Sequence, residues 1–199
     1  MLLGSCAIGL NSCGGFCAGS QIVVEHQRIN GSSFVFSASM PGLLAVSASE
    51  GINIIRSTPS IFENLQANVN AARLILDKID CIVIPSHPAS PVIHIYVHQT
   101  HPMPHAHGSI RYNIAYASPQ DPIQMAEYDA EERLLQEVVE ECLAQSVLVT
   151  RGKRLKTQEI VEPRPSIRLA LSSALTKKET EKAVTVLRNT LVKILGKRR

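Results

Sequence analysis

Residues 81–199 predict an α+β layer, and three observations carry that expectation. Short β-branched, apolar runs recur at Cys81 to Ile84, Val92 to Val97, Val147 to Val149 and Ile167 to Leu171, which is strand composition. Two amphipathic helical patterns lie among them, giving the order β-β-α-β-β-α of an open sheet backed on one face by helices. Residues 1–80, by contrast, offer too few strands for a sheet, so their helices need another sheet to dock against.

The elements can be justified in order. Residues 4–20 mix small and apolar groups with glycines and predict a turn and a buried strand rather than a helix. Gln21 to Ile29 predicts a short helix, and the aromatic and β-branched run Phe34 to Ser37 a strand. Pro41 opens a helix in which Leu44, Ala48 and Ile55 recur at helical spacing, ending near Arg56, since proline is tolerated in a first turn. Ser57 or Thr58 caps the next helix, with Pro59 near its start and Ile61, Leu65, Val69, Ala72, Leu76 and Ile79 on one apolar stripe.

The strands Cys81 to Ile84 and Val92 to Val97 are bounded by prolines and predict neighbours, and Gln99 to Pro122 is a polar loop carrying prolines and histidines. Ala126 to Gln145 places Leu134, Leu135, Val138, Val139, Cys142 and Leu143 on one helical face with acidic residues elsewhere. Thr176-Lys177-Lys178-Glu179 has the spacing of a capping box, and Ala183, Val184, Leu187, Leu191 and Leu195 form the inward stripe of a closing helix.

Composition excludes several function classes. The 199 residues are 45% hydrophobic and 19% charged, a globular profile rather than a disordered one. Lysine and arginine exceed aspartate and glutamate by 20 to 17, and much of that net +3 sits in Lys193 to Arg199. With no basic stripe, four Tyr, four Phe and no Trp, the chain lacks the stacking groups and basic face of a nucleic-acid binder. Five cysteines (Cys6, Cys13, Cys17, Cys81, Cys142) in no CxxC spacing argue against a disulfide framework and for a reducing compartment. The sequon Asn30-Gly31-Ser32 matters only in a secreted protein. Met1 to Ser20 has neither the basic lead of a signal peptide nor an apolar run long enough to span a bilayer.

Each chemically suggestive cluster has a bland reading beside it. His94, His98, His101, His105 and His107 invite a metal hypothesis, but His94 and His98 lie about 13 Å apart along a strand. The others sit in a loop without HExxH or a carboxylate partner, so no metal site is expected. Cys13, Cys17 and His26 as nucleophile and base have nothing in their spacing to bring them together, and a buried free cysteine ordinarily acts as a small hydrophobe. Gly14-Gly15-Phe16-Cys17-Ala18-Gly19 has neither the Walker ending nor GxGxxG spacing and reads as a tight turn. The basic run Arg151 to Lys156 and the Lys197-Arg198-Arg199 end read as solvated loop and tail. Arg168 differs: on a short apolar strand after Pro163-Arg164-Pro165-Ser166 it needs a partner, either a carboxylate such as Glu162 or a ligand carboxylate held bidentately.

Taken together, Gly4-Ser5, Gly14-Gly15-Phe16, Phe36-Ser37-Ala38-Ser39-Met40-Pro41 and Pro165-Ser166-Ile167-Arg168 resemble, in order and interval, the α-oxoamine synthases, a pyridoxal-phosphate family. His26-Gln27-Arg28 and Ile61-Phe62 resemble the non-catalytic subunits of its long-chain-base-forming branch. The resemblance implies a fold-type I α/β transferase of which the chain spans the C-terminal part. Residues 1–80 would be the end of the large cofactor domain with connecting helices, and 81–199 the complete small α+β domain. The cofactor-domain sheet and a membrane segment would lie outside it.

Catalytic members carry their Schiff-base lysine four residues after the glycine matching Gly4, and here that position is Ile8. A side chain without an amine forms no aldimine. Catalytic members also resemble Ala-His-Thr where this chain has Ala174-Leu175-Thr176, so no catalytic residue is expected in it. The resemblance then implies a heterodimer with a lysine-bearing catalytic partner that holds the pyridoxal phosphate. Ser37 and Ser39 match positions reaching the phosphate of the neighbour's cofactor, and Arg168 matches a carboxylate-binding arginine. The implied reaction joins L-serine to palmitoyl-CoA, giving 3-ketosphinganine, CO2 and CoA, at the cytosolic face of the endoplasmic reticulum. The rival expectations are a fragment that is non-functional or binds the catalytic subunit without supporting turnover, and a histidine-rich metal-binding protein.

Overall fold

The fold is taken from a computed structural model describing residues 1–7, 9–98, 122–153 and 163–196, with the side chains of 122–125 left aside. Two compact units divide the chain, Met1–Ile61 and Phe62–Arg199.

The first unit opens with an antiparallel ribbon, β1 (Leu2–Ser5) and β2 (Gly15–Ala18), in register Gly4 to Phe16 and Ser5 to Gly15. Its tightness explains two glycines. A Cβ on Gly15 would meet the Gly4 carbonyl oxygen at 2.5 Å, and Gly14 takes φ +86° with the Met40 sulfur 2.9 Å from where its Cβ would stand. The strand expected to be buried here is instead largely exposed, with Cys6 and Ser12 buried beside it. A two-stranded ribbon has no second layer to cover either face.

Helices α1 (Gln21–Asn30), α2 (Ser32–Phe36) and α3 (Gly42–Ser57) follow. The segment Phe34 to Ser37, expected as a strand, lies mostly in α2. The Gly31 carbonyl accepts the N–H groups of both Phe34 and Val35, and the Ser33 carbonyl accepts that of Ser37. With no strand alongside it among the described residues, local turns satisfy the backbone and override β-propensity. In α3 the predicted stripe holds, since Leu44 and Ile55 are half-buried and Ala48 is buried.

The second unit contains the core. Its sheet is wholly antiparallel in the order β3 (Ile82–Val83), β4 (Val92–Val97), β6 (Ile167–Ala170), β5 (Thr150–Arg151). Ile93, Ile95, Ile167 and Leu169 form its inner face. Against them pack Ala72 and Leu76 of α4 (Ser60–Leu76), Leu135, Val138 and Cys142 of α5 (Pro122–Ala144), and Val184, Leu187 and Leu191 of α6 (Lys177–Leu195). The predicted β-β-α-β-β-α order is observed.

Two details differ from expectation. Val147 to Val149 is not a strand: Val147 N–H closes a turn onto Cys142 O, Ser146 takes φ +62°, and pairing starts at Thr150. Leu143, expected on the inner face of α5, is exposed. On the other helices the predicted features hold. Thr176 caps α6 through both arms of the capping box, and Val69, Ala72, Leu76 and Ile79 are buried along the α4 stripe while Ile61 and Leu65 are only half-buried.

Two ion pairs fasten α5 to the sheet. Arg164 and Glu131, both buried, join through Nε to Oε2 at 3.1 Å and Nη2 to Oε1 at 2.7 Å, and Arg164 Nη2 also donates to the Val97 carbonyl. At β5, Arg151 pairs with Glu132 and donates from Nε to Gln136 Oε1 at 2.7 Å.

Candidate functional site

Sequence-predicted site residues fall into two places. In the first unit, a cavity of about 760 Å³ is walled by the glycine ribbon, the end of α1 and the segment leading into α3. Ser39 lines it together with Ser5 and Ser33, beneath Phe16, Phe34 and Met40. Ser37 is not in the lining; it is exposed and closes α2 by donating its N–H to Ser33 O. Cys17 lines the cavity, whereas Cys13 and His26 do not. Among the described residues no charged side chain lines it.

That donor set bears on the cofactor implied by the resemblance. Serine hydroxyls and the N–H groups of a glycine turn are suited to a phosphate. A pyridoxal aldehyde needs an amine for covalent attachment, and the first lysine of the sequence is Lys78, outside this unit. The residues present therefore do not fit a covalently held pyridoxal phosphate. Ile8, which the resemblance matches to the lysine position, lies outside the described residues, as do Glu162, His101, His105, His107 and Lys197 to Arg199.

The second place is the outer face of the sheet, turned away from the core. Strand alternation puts Ile93 and Ile95 inward and His94 and Tyr96 outward, and on β6 Ile167 and Leu169 inward with Arg168 outward. The register sets His94 directly opposite Arg168, and Arg168 opposite Thr150. His94 Nδ1 lies 3.2 Å from the buried Ser166 Oγ, its main-chain N–H goes to Ser86 Oγ at 2.9 Å, and its ring stacks on Tyr96 with centroids 6.4 Å apart. Burial, and next the Arg168 charge, hold the His94 imidazole below its ordinary pKa, so it is neutral at pH 7. Among the described residues no group of three or more His, Cys, Asp or Glu side chains could hold a metal ion. Leu175, which the resemblance matches to a histidine position, is exposed on the turn before α6.

Sequence reasoning missed Ser166, Asn68 and the pairing of Arg164 with Glu131. Ser166 was within reach, because alternation from Ile167 places it on the same face as Arg168. The other two join residues distant in sequence, and nothing local signals them.

A four-stranded antiparallel sheet backed by three helices, preceded by a glycine ribbon and three further helices, has the mixed helix-and-sheet architecture of the fold-type I α/β class. The chain belongs to the aminotransferase class I and II family, which matches residues 1–187. It is 32% identical to serine palmitoyltransferase 1 of Dictyostelium discoideum over 192 residues, covering 94% of this chain and 36% of that protein. To serine palmitoyltransferase 1 of Saccharomyces cerevisiae it is 24% identical over 206 residues, covering 96% and 36%. To long chain base biosynthesis protein 1c of Oryza sativa subsp. japonica it is 41% identical over 80 residues, covering 40% and 17%. The chain thus spans little more than a third of the length of the relatives that it matches throughout.

Among solved structures, a serine palmitoyltransferase with its pyridoxal-phosphate internal aldimine superposes with a TM-score of 0.61 at 13% identity, covering 96% of this chain and 39% of that one. The 8-amino-7-oxononanoate synthase of Francisella tularensis gives 0.62 at 10% identity, covering 95% and 44%. Both are α-oxoamine synthases, the group to which the sequence motifs point.

Proposed function

We propose that this chain is the C-terminal part of a non-catalytic serine palmitoyltransferase subunit that supports a lysine-bearing catalytic partner. The observation carrying the proposal is the 32% identity to serine palmitoyltransferase 1 along 94% of the chain; the motif resemblance, which matches Ile8 to the Schiff-base position, supports the non-catalytic role. In this reading the partner holds the pyridoxal phosphate, Ser39 and Ser37 contribute hydroxyls toward its phosphate, and Arg168 faces a carboxylate. The complex joins L-serine to palmitoyl-CoA with loss of CO2 and CoA. Residues 1–80 belong to the large cofactor domain and 81–199 to the small domain, although α4 packs with the latter. The complex sits at the endoplasmic reticulum. Among the described residues no helix is long and apolar enough to cross a membrane, so the partner or another segment supplies the anchor.

A second reading is favoured by the exposed apolar side chains of the first unit, among them Ile22, Ile29, Phe34 and Phe36: the chain binds the catalytic subunit without supporting turnover. Co-expression with a lysine-bearing serine palmitoyltransferase subunit separates the two. Restored condensation supports the first reading. Stable binding without product supports the second, and aggregation without binding removes both.

A further inference from the structure

The outer face of the sheet carries more than Arg168. Its guanidinium belongs to the row His94, Arg168, Thr150 across three strands, and directly opposed residues in an antiparallel pair have Cβ atoms about 5 Å apart. The Arg168 charge acts on the His94 ring, so an oxyanion held by Arg168 is also within electrostatic range of that ring. Among the described residues, Arg168 on β6 acts on that ring through its charge and Tyr96 on its own strand stacks against it. Val83 of β3, Thr150 of β5 and Ser86 of the preceding turn carry no charge. His87, in the same turn, uses Nδ1 to accept the Ala89 N–H.

We infer that His94 is a positioning residue that makes oxyanion capture at Arg168 proton-linked. This rests on the reading above that Arg168 faces an anionic group. The buried Ser166 hydroxyl, 3.2 Å from Nδ1, permits the change of state, because a serine hydroxyl donates to a neutral ring nitrogen and accepts from a protonated one. The ring can therefore gain a proton without leaving Ser166 or Nδ1 unpaired. Without an anion, a second positive charge beside Arg168 is unfavourable. With an anion present, two cations share it. Linkage is reciprocal: if the anion favours the proton, the proton favours the anion by the same factor.

The test is a titration of the full chain with sodium sulfate at pH 8 and pH 6, following the His94 Cε1–H signal by NMR. Sulfate should bind about five-fold or more tightly at pH 6, and the His94 midpoint should rise when sulfate is present. Arg168→Gln should abolish binding, and His94→Gln should retain binding but lose its pH dependence. The His94 signal of the native chain decides the matter without any variant having to fold. A His94 midpoint that does not move with saturating sulfate overturns the inference about His94 while leaving Arg168 as an anion site. Absence of sulfate binding at both pH values, or binding unchanged in Arg168→Gln, overturns the reading of Arg168 itself.

Discussion

Asn68 Nδ2 donates to two main-chain carbonyls at once, Ser172 O at 3.0 Å and Leu175 O at 2.8 Å, and so ties helix α4 to the turn between β6 and α6. Asn68 is 2% exposed, so its amide has no water to fall back on. Its two donors hold the backbone at Ser172 and Leu175, just before the cap of α6. Asn68→Ala should destabilise the chain by about 1–3 kcal/mol, the usual cost of leaving buried polar partners unmade. Thermal unfolding should show it as a midpoint lowered by several degrees, with Asn68→Asp also lowered because a carboxylate cannot donate.

The Arg164–Glu131 pair predicts a larger effect of opposite logic for single and double changes. Both residues are buried and share two hydrogen bonds. Removing one partner leaves an uncompensated charge in the interior, so Glu131→Gln should cost about 3–5 kcal/mol. Replacing both, as Glu131→Leu with Arg164→Met, should cost much less than the two single changes together, because no charge is then stranded. A double-mutant cycle by urea denaturation measures the coupling.

The α6 cap makes stability depend on acid in a defined window. The Thr176 hydroxyl, then the Thr176 N–H, hold the Glu179 carboxyl below its ordinary pKa of 4.5. Lowering a carboxyl's pKa on folding means that the unfolded chain binds the proton more readily. The stabilisation is therefore present above pH 4.5 and is lost as pH falls through the folded value. Glu179→Gln should remove that part of the acid dependence and should lower the thermal midpoint at pH 7 more than at pH 3.

How much of the fold is legible in the sequence depends on where the folding information lies. Stripes on α4 and α6, and the alternation of Ile93 and Ile95 on β4, are legible because burial in the second unit is periodic along each element. Phe34 to Ser37 misleads because strand composition has no force without a neighbouring strand, and among the described residues of the first unit β1 and β2 pair only with each other. Val147 to Val149 misleads because the αL turn at Ser146 displaces the pairing by three residues. Of the candidate residues, Arg168 and Ser39 are singled out in the sequence by the motifs that carry them. The Ser166–His94 contact, 72 residues apart in sequence, is not, because only the strand order β4-β6 brings them together.

The first unit yields the prediction with the widest reach. Its helix α1 has no buried residue and α3 has only Ala48, while Phe36 is 86% and Ile22 79% exposed. So much apolar surface is unusual for a soluble unit, and under the proposed function it is a face that the catalytic partner covers. The purified chain should bind a hydrophobic dye such as ANS. Co-expression with a lysine-bearing subunit should suppress that binding. Ile22→Ser combined with Phe36→Ser should reduce dye binding by the isolated chain and weaken capture by the partner, since the same side chains serve both. Borohydride reduction of the complex in the presence of pyridoxal phosphate should then label the partner's lysine and leave residues 1–61 of this chain unlabelled, for that stretch contains no lysine. Unchanged capture by the double variant, or a label within residues 1–61, would remove the covered-face reading or the assignment of the cofactor to the partner, respectively.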